Sequence, residues 1–130
     1  MKMLCRSLAF LTILASGPPS ARAIIPFNQA FKDLYVQPNT PFAKQVEDAK
    51  CNLCHDGKNR KNRNDYGKAV QLYLKKADFV GAAAKFNPKT EAGKKALADG
   101  LEKAGAEKSS DGKKFDALIK AGELPAPVVK

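Results

Sequence analysis

The feature that most constrains this chain is a pair of cysteines followed at once by a histidine, at Cys51, Cys54 and His55. Two cysteines three residues apart lie on one side of a helical turn, so both sulfurs can bond to the same rigid group. His55 is the only histidine in the chain, and neutral imidazole is a good ligand for iron. The spacing therefore predicts a covalently held group with the histidine directly beneath it.

Three other uses of such a cysteine pair suit this sequence less well. A thioredoxin-like redox site needs a neighbouring βαβ pattern, and no strand-like alternation flanks Cys51. A zinc site needs four ligands, and Cys51, Cys54 and His55 have no second ligand pair elsewhere. A disulfide across two intervening residues would be strained and would leave the histidine without a role.

The pattern C-x-x-C-H is typical of haem attachment. We therefore predict one haem c, bound through thioethers at Cys51 and Cys54, with His55 as the proximal ligand of the haem iron. The identity of the distal ligand stays open at this point.

The first 23 residues have the pattern of a secretion signal. Lys2 and Arg6 precede the apolar run 8–15, and Ala21-Arg22-Ala23 has the small-residue form of a cleavage site. We predict that residues 1–23 are a cleaved signal peptide and that the protein is exported to the periplasm or an equivalent extracytoplasmic compartment. The apolar run of eight residues is far below the roughly 20 of a membrane helix, so we expect no membrane span after cleavage.

The charge of the remaining chain points to acidic partners. The sequence carries 23 Lys and Arg against 13 Asp and Glu, so loss of Lys2, Arg6 and Arg22 leaves a formal charge of about +7. Four of these cations lie in the polar loop 56–64, directly after His55. Such a loop is often only a solvated segment, but here it could neutralise haem propionates or present a basic rim to an acidic redox partner. Nucleic acid is a poor candidate, because no recognition helix or aromatic platform accompanies the loop.

The periodicity of apolar residues predicts an all-α domain over residues 24–130. Thr40 with Pro41 and then Thr90 are predicted helix starts, and Pro38 ends the first helix. The apolar face of each predicted helix consists, in chain order, of Phe27, Phe31, Leu34 and Tyr35; Phe42, Val46 and Ala49; Tyr66, Ala69, Val70, Tyr73, Leu74 and Ala77; Ala96, Leu97, Leu101 and Ala104; and Phe115, Leu118 and Ile119.

Weaker signals complete the helix prediction. Asn64 or Asp65 is expected to cap the third helix, Asp78 to cap a short apolar segment over 79–86, and Ser110 to cap the last helix. Three glycines, Gly93, Gly100 and Gly105, are expected to weaken the helix that follows Thr90. The prediction is thus about five short helices around one haem.

In this respect residues 24–130 resemble the small monohaem cytochromes c. The match is specific at Cys51, Cys54 and His55 and general elsewhere. Three longer runs also look like small exported cytochromes of planctomycete and anammox bacteria: Cys51-Asn-Leu-Cys-His-Asp-Gly-Lys, Lys61-Asn-Arg-Asn-Asp-Tyr-Gly and Leu118-Ile-Lys-Ala-Gly-Glu-Leu-Pro. The resemblance implies a single cytochrome c domain, with a cytochrome c-like fold and haem attachment outside the cytoplasm.

One departure from the common pattern keeps more than one function open. Small cytochromes c usually complete iron coordination with a methionine or a second histidine, and residues 24–130 contain neither. The distal position is left to a lysine, the amino group of Ile24, an oxygen donor such as Tyr66, Tyr73 or an asparagine, water, a partner's residue, or no ligand. We predict an electron carrier rather than an enzyme. The alternatives are a haem protein that binds NO or CO or reacts with peroxide, and a subunit paired with a second small cytochrome.

Overall fold

The computed structural model describes residues 25–129, so the predicted signal peptide and the amino group of Ile24 lie outside the described residues. Over this range the chain is helical and contains no β-strand, which confirms the prediction of an all-α protein. The five α-helices are α1 (Ile25–Tyr35), α2 (Pro41–Ala49), α3 (Asp65–Tyr73), α4 (Glu91–Ala106) and α5 (Phe115–Lys120). Short 3-10 turns cover Lys50–Leu53 and Lys76–Asp78.

Helix α2 begins as its sequence predicts. Thr40 Oγ1 accepts a hydrogen bond of 3.1 Å from the backbone N–H of Ala43, and Pro41 occupies the first helical position, where no N–H is needed. Phe42, Val46 and Ala49 are buried along one face. The helix therefore delivers the chain to Cys51 with its apolar face fixed against the core.

Helix α3 is shorter than its apolar pattern suggests. The prediction that Tyr73 and Ala77 continue the buried face is wrong, because the helix ends at Tyr73 and Leu74 has extended backbone angles. Leu74 is buried, whereas Tyr73 is 40% exposed and Ala77 is exposed. The change of backbone direction at Leu74 turns the following residues away from the helical face.

The segment 79–86 is not helical, so the prediction of a short helix capped by Asp78 is also wrong. Asp78 itself ends a 3-10 turn, and its carbonyl accepts a hydrogen bond of 2.9 Å from Phe86 N–H. Gly81 has φ = +108°, which an α-helix does not accommodate. The ring of Phe86 instead stacks on that of Phe79, with centroids 5.5 Å apart.

Helix α4 packs against α1, α3 and α5 and is the centre of the fold. Its glycines allow this packing rather than merely weakening the helix. A Cβ at Gly100 would lie 2.3 Å from the Leu74 side chain, and one at Gly105 would lie 3.0 Å from the Tyr35 hydroxyl. The cost in helix propensity is therefore offset by closer contact between helices.

The last helix begins differently from the prediction. Ser110 does not cap it, because α5 starts at Phe115 after Lys114, which makes no capping hydrogen bond through its side chain. Ser110 lies in the preceding turn, where its N–H donates to Asp65 Oδ2 at 3.3 Å. The end is as predicted, since Gly122 follows the helix with φ = +76°, a conformation that favours glycine.

The hydrophobic core is dominated by aromatic rings. Phe31 is 1% exposed and contacts Phe42 and Tyr66, with ring centroids 6.5 and 5.8 Å away, and Tyr66 in turn contacts Phe115 at 5.3 Å. Cys54 packs against this core as a partly buried residue. Within residues 25–129, no helix combines the length and the apolar character that crossing a membrane would require.

Candidate haem-attachment site

The predicted site residues lie together on one tight turn at the end of α2. Lys50 closes the helix with φ = 49°, an unusual angle for a residue with a side chain, and the 3-10 turn Lys50–Leu53 follows. The carbonyl of Cys51 then accepts hydrogen bonds from the N–H groups of Cys54, at 3.3 Å, and His55, at 3.1 Å. The backbone therefore holds the two cysteines and the histidine in one compact unit.

The two cysteines have different surroundings. Cys51 is exposed, whereas Cys54 is partly buried and packs against the hydrophobic core. Burial raises the pKa of the Cys54 thiol to about 12, with a smaller opposing effect from the positive charge of Arg63. As a free thiol Cys54 is therefore neutral at physiological pH, and the turn presents one sulfur to solvent and the other to the core.

The ring of His55 is held by a backbone carbonyl. Its Nδ1 lies 3.1 Å from the carbonyl oxygen of Asn62, which also accepts the N–H of Asp56 at 3.1 Å. A carbonyl can only accept, so in the neutral ring Nδ1 carries the proton and Nε2 keeps the lone pair. This is the arrangement by which histidine ligands are usually oriented toward a metal.

The basic loop 56–64 brings the Asn62 carbonyl back to His55. Gly57 has φ = +62°, and the N–H of Asn62 donates to the carbonyl of Asn59 at 3.0 Å, which folds the loop tightly. Its tip exposes Lys58, Arg60 and Lys61. The ion pairs found among residues 25–129 involve five other lysines, so the charges of these three side chains are free to act on a partner.

Asn64 ties the turn over residues 50–55, which carries the candidate attachment residues and is called the attachment turn below, to helix α3. It is 5% exposed, and its Nδ2 donates to the carbonyls of Asn52, at 3.1 Å, and Leu53, at 3.2 Å. Its Oδ1 accepts the N–H of Gly67 at 2.8 Å, which caps α3. One amide thus satisfies both the turn and the helix end. The sequence indicated only its capping role.

Gly67 allows the turn and the helix to touch. A Cβ at this position would lie 1.9 Å from the carbonyl oxygen of Cys54 and 2.8 Å from its carbonyl carbon. The backbone of the second cysteine therefore rests directly on the first turn of α3. This contact was not predicted from the sequence.

Asn64→Ala is expected to lower the free energy of unfolding by about 2 to 4 kcal/mol, because it leaves one buried carbonyl, one part-buried carbonyl and one helix N–H without their side-chain partner. Asn64→Asp keeps the acceptor for Gly67 but sets a carboxylate oxygen against both carbonyls, so at neutral pH we expect a loss at least as large. Denaturant titration measures the free energy of unfolding of both variants. The control is Asn59→Ala in the exposed loop. If alanine at positions 59 and 64 lowered the free energy of unfolding equally, the role assigned to Asn64 in holding the turn would be wrong.

The two tyrosines predicted as candidate distal ligands have different surroundings in the structure. The Tyr73 hydroxyl hydrogen-bonds to the Glu107 carboxylate at the surface. The Tyr66 hydroxyl is buried, and among the described residues it has no hydrogen-bond partner. Burial is the largest cause that raises its pKa, followed by the proximity of Cys54 and Tyr35. Of the two tyrosines, Tyr66 is thus the one associated with the attachment turn.

A cleft of about 500 Å³ lies beside the site, between the start of α3 and the C-terminal segment 123–129. Its charged lining residues are Asp56, Asp65, Asp111, Lys113 and Glu123. This excess of carboxylates does not suit the anionic propionates of a haem. Across residues 25–129, no group of three or more His, Cys, Asp or Glu side chains is arranged to hold a metal ion.

Comparison with known proteins does not assign a family. No protein-family model matches the chain, and no curated protein or solved structure matches it either.

Proposed function

We propose that this protein is an exported monohaem c-type cytochrome of cytochrome c-like fold that carries electrons, and that residues 24–130 form its single haem domain. Cys51 and Cys54 would hold the haem through thioethers, and His55 Nε2 would be the proximal ligand. The observation that carries the proposal is the hydrogen bond from His55 Nδ1 to the Asn62 carbonyl, since it leaves Nε2 with a lone pair on the turn that holds both sulfurs.

The surroundings of the two sulfurs support the proposal. Cys54 against the core and Cys51 at the surface would hold the group at the boundary between core and solvent. When bound, the haem iron supplies a one-electron couple between the ferrous and ferric states. An electron carrier needs such a boundary position, because its redox group must come close to a partner while the protein keeps bulk water from most of it.

The test is to mature the full chain in a host that attaches haem. We expect a coloured protein whose mass equals that of residues 24–130 plus one haem, with α and β absorption bands in the reduced form. A colourless product with the mass of the processed polypeptide would overturn the proposal. The same mass measurement checks cleavage after Ala23.

The exposed cations at the tip of loop 56–64 are expected to control the rate of electron exchange. At low ionic strength, Lys58→Glu/Lys61→Glu should slow oxidation of the reduced protein by ferricyanide by about tenfold and accelerate oxidation by hexaamminecobalt(III), because the sign of local steering is reversed. Stopped-flow absorbance measures both rates. Lys94→Glu/Lys103→Glu on α4 makes the same change in net charge elsewhere, and equal effects of the two pairs would contradict a role for the loop.

The same loop defines the kind of protein partner that we propose. Lys58, Arg60 and Lys61 follow directly after the proximal histidine and have no ion-pair partner among the described residues. An acidic docking surface complements them, and its attraction would weaken as salt is added.

Binding of a small gas is the second candidate function, and the lack of a strong distal donor favours it. Residues 24–130 contain no methionine and no second histidine. If the distal position is open, the ferrous protein takes up CO readily and the ferric protein has a high-spin spectrum. A fully low-spin spectrum with no CO uptake would exclude this function and leave the electron carrier.

A second small cytochrome would be an alternative source of the missing ligand. In that case the native protein is a dimer of two different chains, and its spectrum changes when they are separated. Native mass spectrometry tests this, because a monomer with a complete low-spin haem needs no partner.

A further inference from the structure

The segment 75–89, between α3 and α4, presents apolar side chains at the surface. Val80 is 40% exposed and Phe86 is 38% exposed, and the small residues Ala82 and Ala83 between them are exposed as well. Exposed apolar residues that lie close together often mark a surface that contacts a partner or a lipid. This apolar patch plays no part in the candidate haem site.

The patch is held firmly on the body of the protein. The N–H of Phe86 donates to the carbonyl of Asp78 at 2.9 Å, which closes the loop at its base. The ring of Phe86 stacks on that of Phe79, and Phe79 packs edge-on against Phe27 of α1, with ring centroids 5.6 Å apart. The exposed apolar residues are therefore attached to the core through a row of aromatic rings.

The charged residues of this segment are almost all lysines. They are Lys75, Lys76, Lys85, Lys89 and a single Asp78, so the segment has a formal charge of +3. Lys85 pairs with Asp78 at 2.9 Å. Lys75, Lys76 and Lys89, called the rim lysines below, are exposed, and none of the ion pairs found over residues 25–129 includes them. The apolar patch thus lies within a positively charged surface.

We propose that segment 75–89 is a docking surface for an anionic lipid membrane, with Val80 and Phe86 entering the headgroup region and the rim lysines facing the lipid phosphates. Phenylalanine and other apolar side chains combined with lysines are the composition by which proteins bind to the membrane interface without spanning it. A protein partner suits this surface less well, because lysine is depleted in protein–protein interfaces. The inference does not depend on the haem.

The position of the patch relative to the start of α1 agrees with this assignment. Phe27, whose ring contacts Phe79, lies in the first turn of α1, and the predicted signal peptide directly precedes that helix. Until the predicted cleavage, the patch would therefore stay near the bilayer with which the signal peptide interacts.

Co-sedimentation of the mature protein with lipid vesicles tests the apolar part of the surface. We expect binding to vesicles of equal parts phosphatidylglycerol and phosphatidylcholine, and weak binding to phosphatidylcholine alone. In Val80→Ser/Phe86→Ser the partition coefficient for the anionic vesicles should fall about tenfold, because less apolar surface enters the bilayer. Leu72→Ser on α3, where the side chain is 67% exposed, is the matched control and should leave this coefficient unchanged. No binding to the anionic vesicles, or equal effects of the two variants, overturns the inference.

Charge reversal tests the rim lysines without disturbing the aromatic contacts. Lys76→Glu/Lys89→Glu should lower the same partition coefficient by about tenfold. Lys58→Glu/Lys61→Glu makes the same change in net charge at loop 56–64 and should lower the coefficient by no more than about threefold, because salt screens charges outside the contact. Equal losses from the two pairs would mean that binding follows net charge alone, and would overturn the inference. Vesicle binding is measured without reference to the haem, so this result and that of the haem-attachment test are independent.

Discussion

Replacement of both cysteines of the attachment turn, Cys51→Ser/Cys54→Ser, is expected to abolish covalent haem completely. Serine is close to cysteine in size, although more polar, and it cannot form a thioether. Each single variant should keep one bond and show a shifted α band, because one vinyl group is then left unreacted. The mass of the denatured protein and the spectrum of its pyridine complex measure the result.

The leader cysteine provides the control for this prediction. Cys5→Ser changes the same residue type within the predicted signal peptide and should leave the haem content unchanged. If the double variant still retained haem after denaturation, the attachment chemistry proposed for Cys51 and Cys54 would be wrong.

His55→Ala separates the role of the iron ligand from that of the thioethers. The haem that does attach should lack its proximal nitrogen, and added imidazole should restore a spectrum close to that of the natural protein. If the spectrum of the variant were unchanged without imidazole, another residue would be the proximal ligand.

Gly67→Ala is expected to be strongly destabilising. The new Cβ would meet the carbonyl oxygen of Cys54 at 1.9 Å, and neither backbone can move aside without displacing the attachment turn. We expect a loss above about 3 kcal/mol, beyond the usual range for overpacking, together with reduced haem attachment. Denaturant titration and haem content measure the two effects.

Two further variants calibrate the Gly67 result. Gln71→Ala lies exposed on the same helix and should be nearly neutral or slightly stabilising. Gly100→Ala adds a methyl group that meets the side chain of Leu74, which can rotate, so its cost should be about 1 to 3 kcal/mol. A cost at Gly67 no greater than that at Gly100 would mean that the turn is not held against α3.

The helix starts that the sequence predicted well are those decided within one turn of chain. Thr40 and Thr90 both accept the N–H three residues later, at 3.1 and 3.2 Å, and neither bond depends on distant residues. Segment 79–86 was mispredicted because its apolar residues are used differently: Phe86 stacks on Phe79, and Gly81 turns the chain between them. Phe79 and Phe86 are seven residues apart, a spacing that a helix would also place on one face, so the apolar pattern alone does not distinguish the two structures.

The sequence also predicted the residues of the candidate site, but not the groups that hold those residues in place. Cys51, Cys54 and His55 are recognisable by spacing, whereas the Asn62 carbonyl is a backbone group with no sequence signal. Asn64 and Gly67 did leave a signal: a capping residue followed three positions later by glycine occurs again at Thr90 and Gly93, where a Cβ would lie 1.8 Å from the Asn87 carbonyl. The repeat marks helices whose first turn lies directly on the preceding segment.

The two-sided fixation of the attachment turn bears on how quickly an electron could be exchanged. The amide of Asn64 holds the turn from one side, and the backbone of α3 at Gly67 supports it from the other. Dipoles that are already fixed do not have to rearrange when the charge of a nearby group changes. In the proposed cytochrome this arrangement would keep the nuclear reorganisation energy of the protein small, so a modest driving force would suffice for rapid self-exchange.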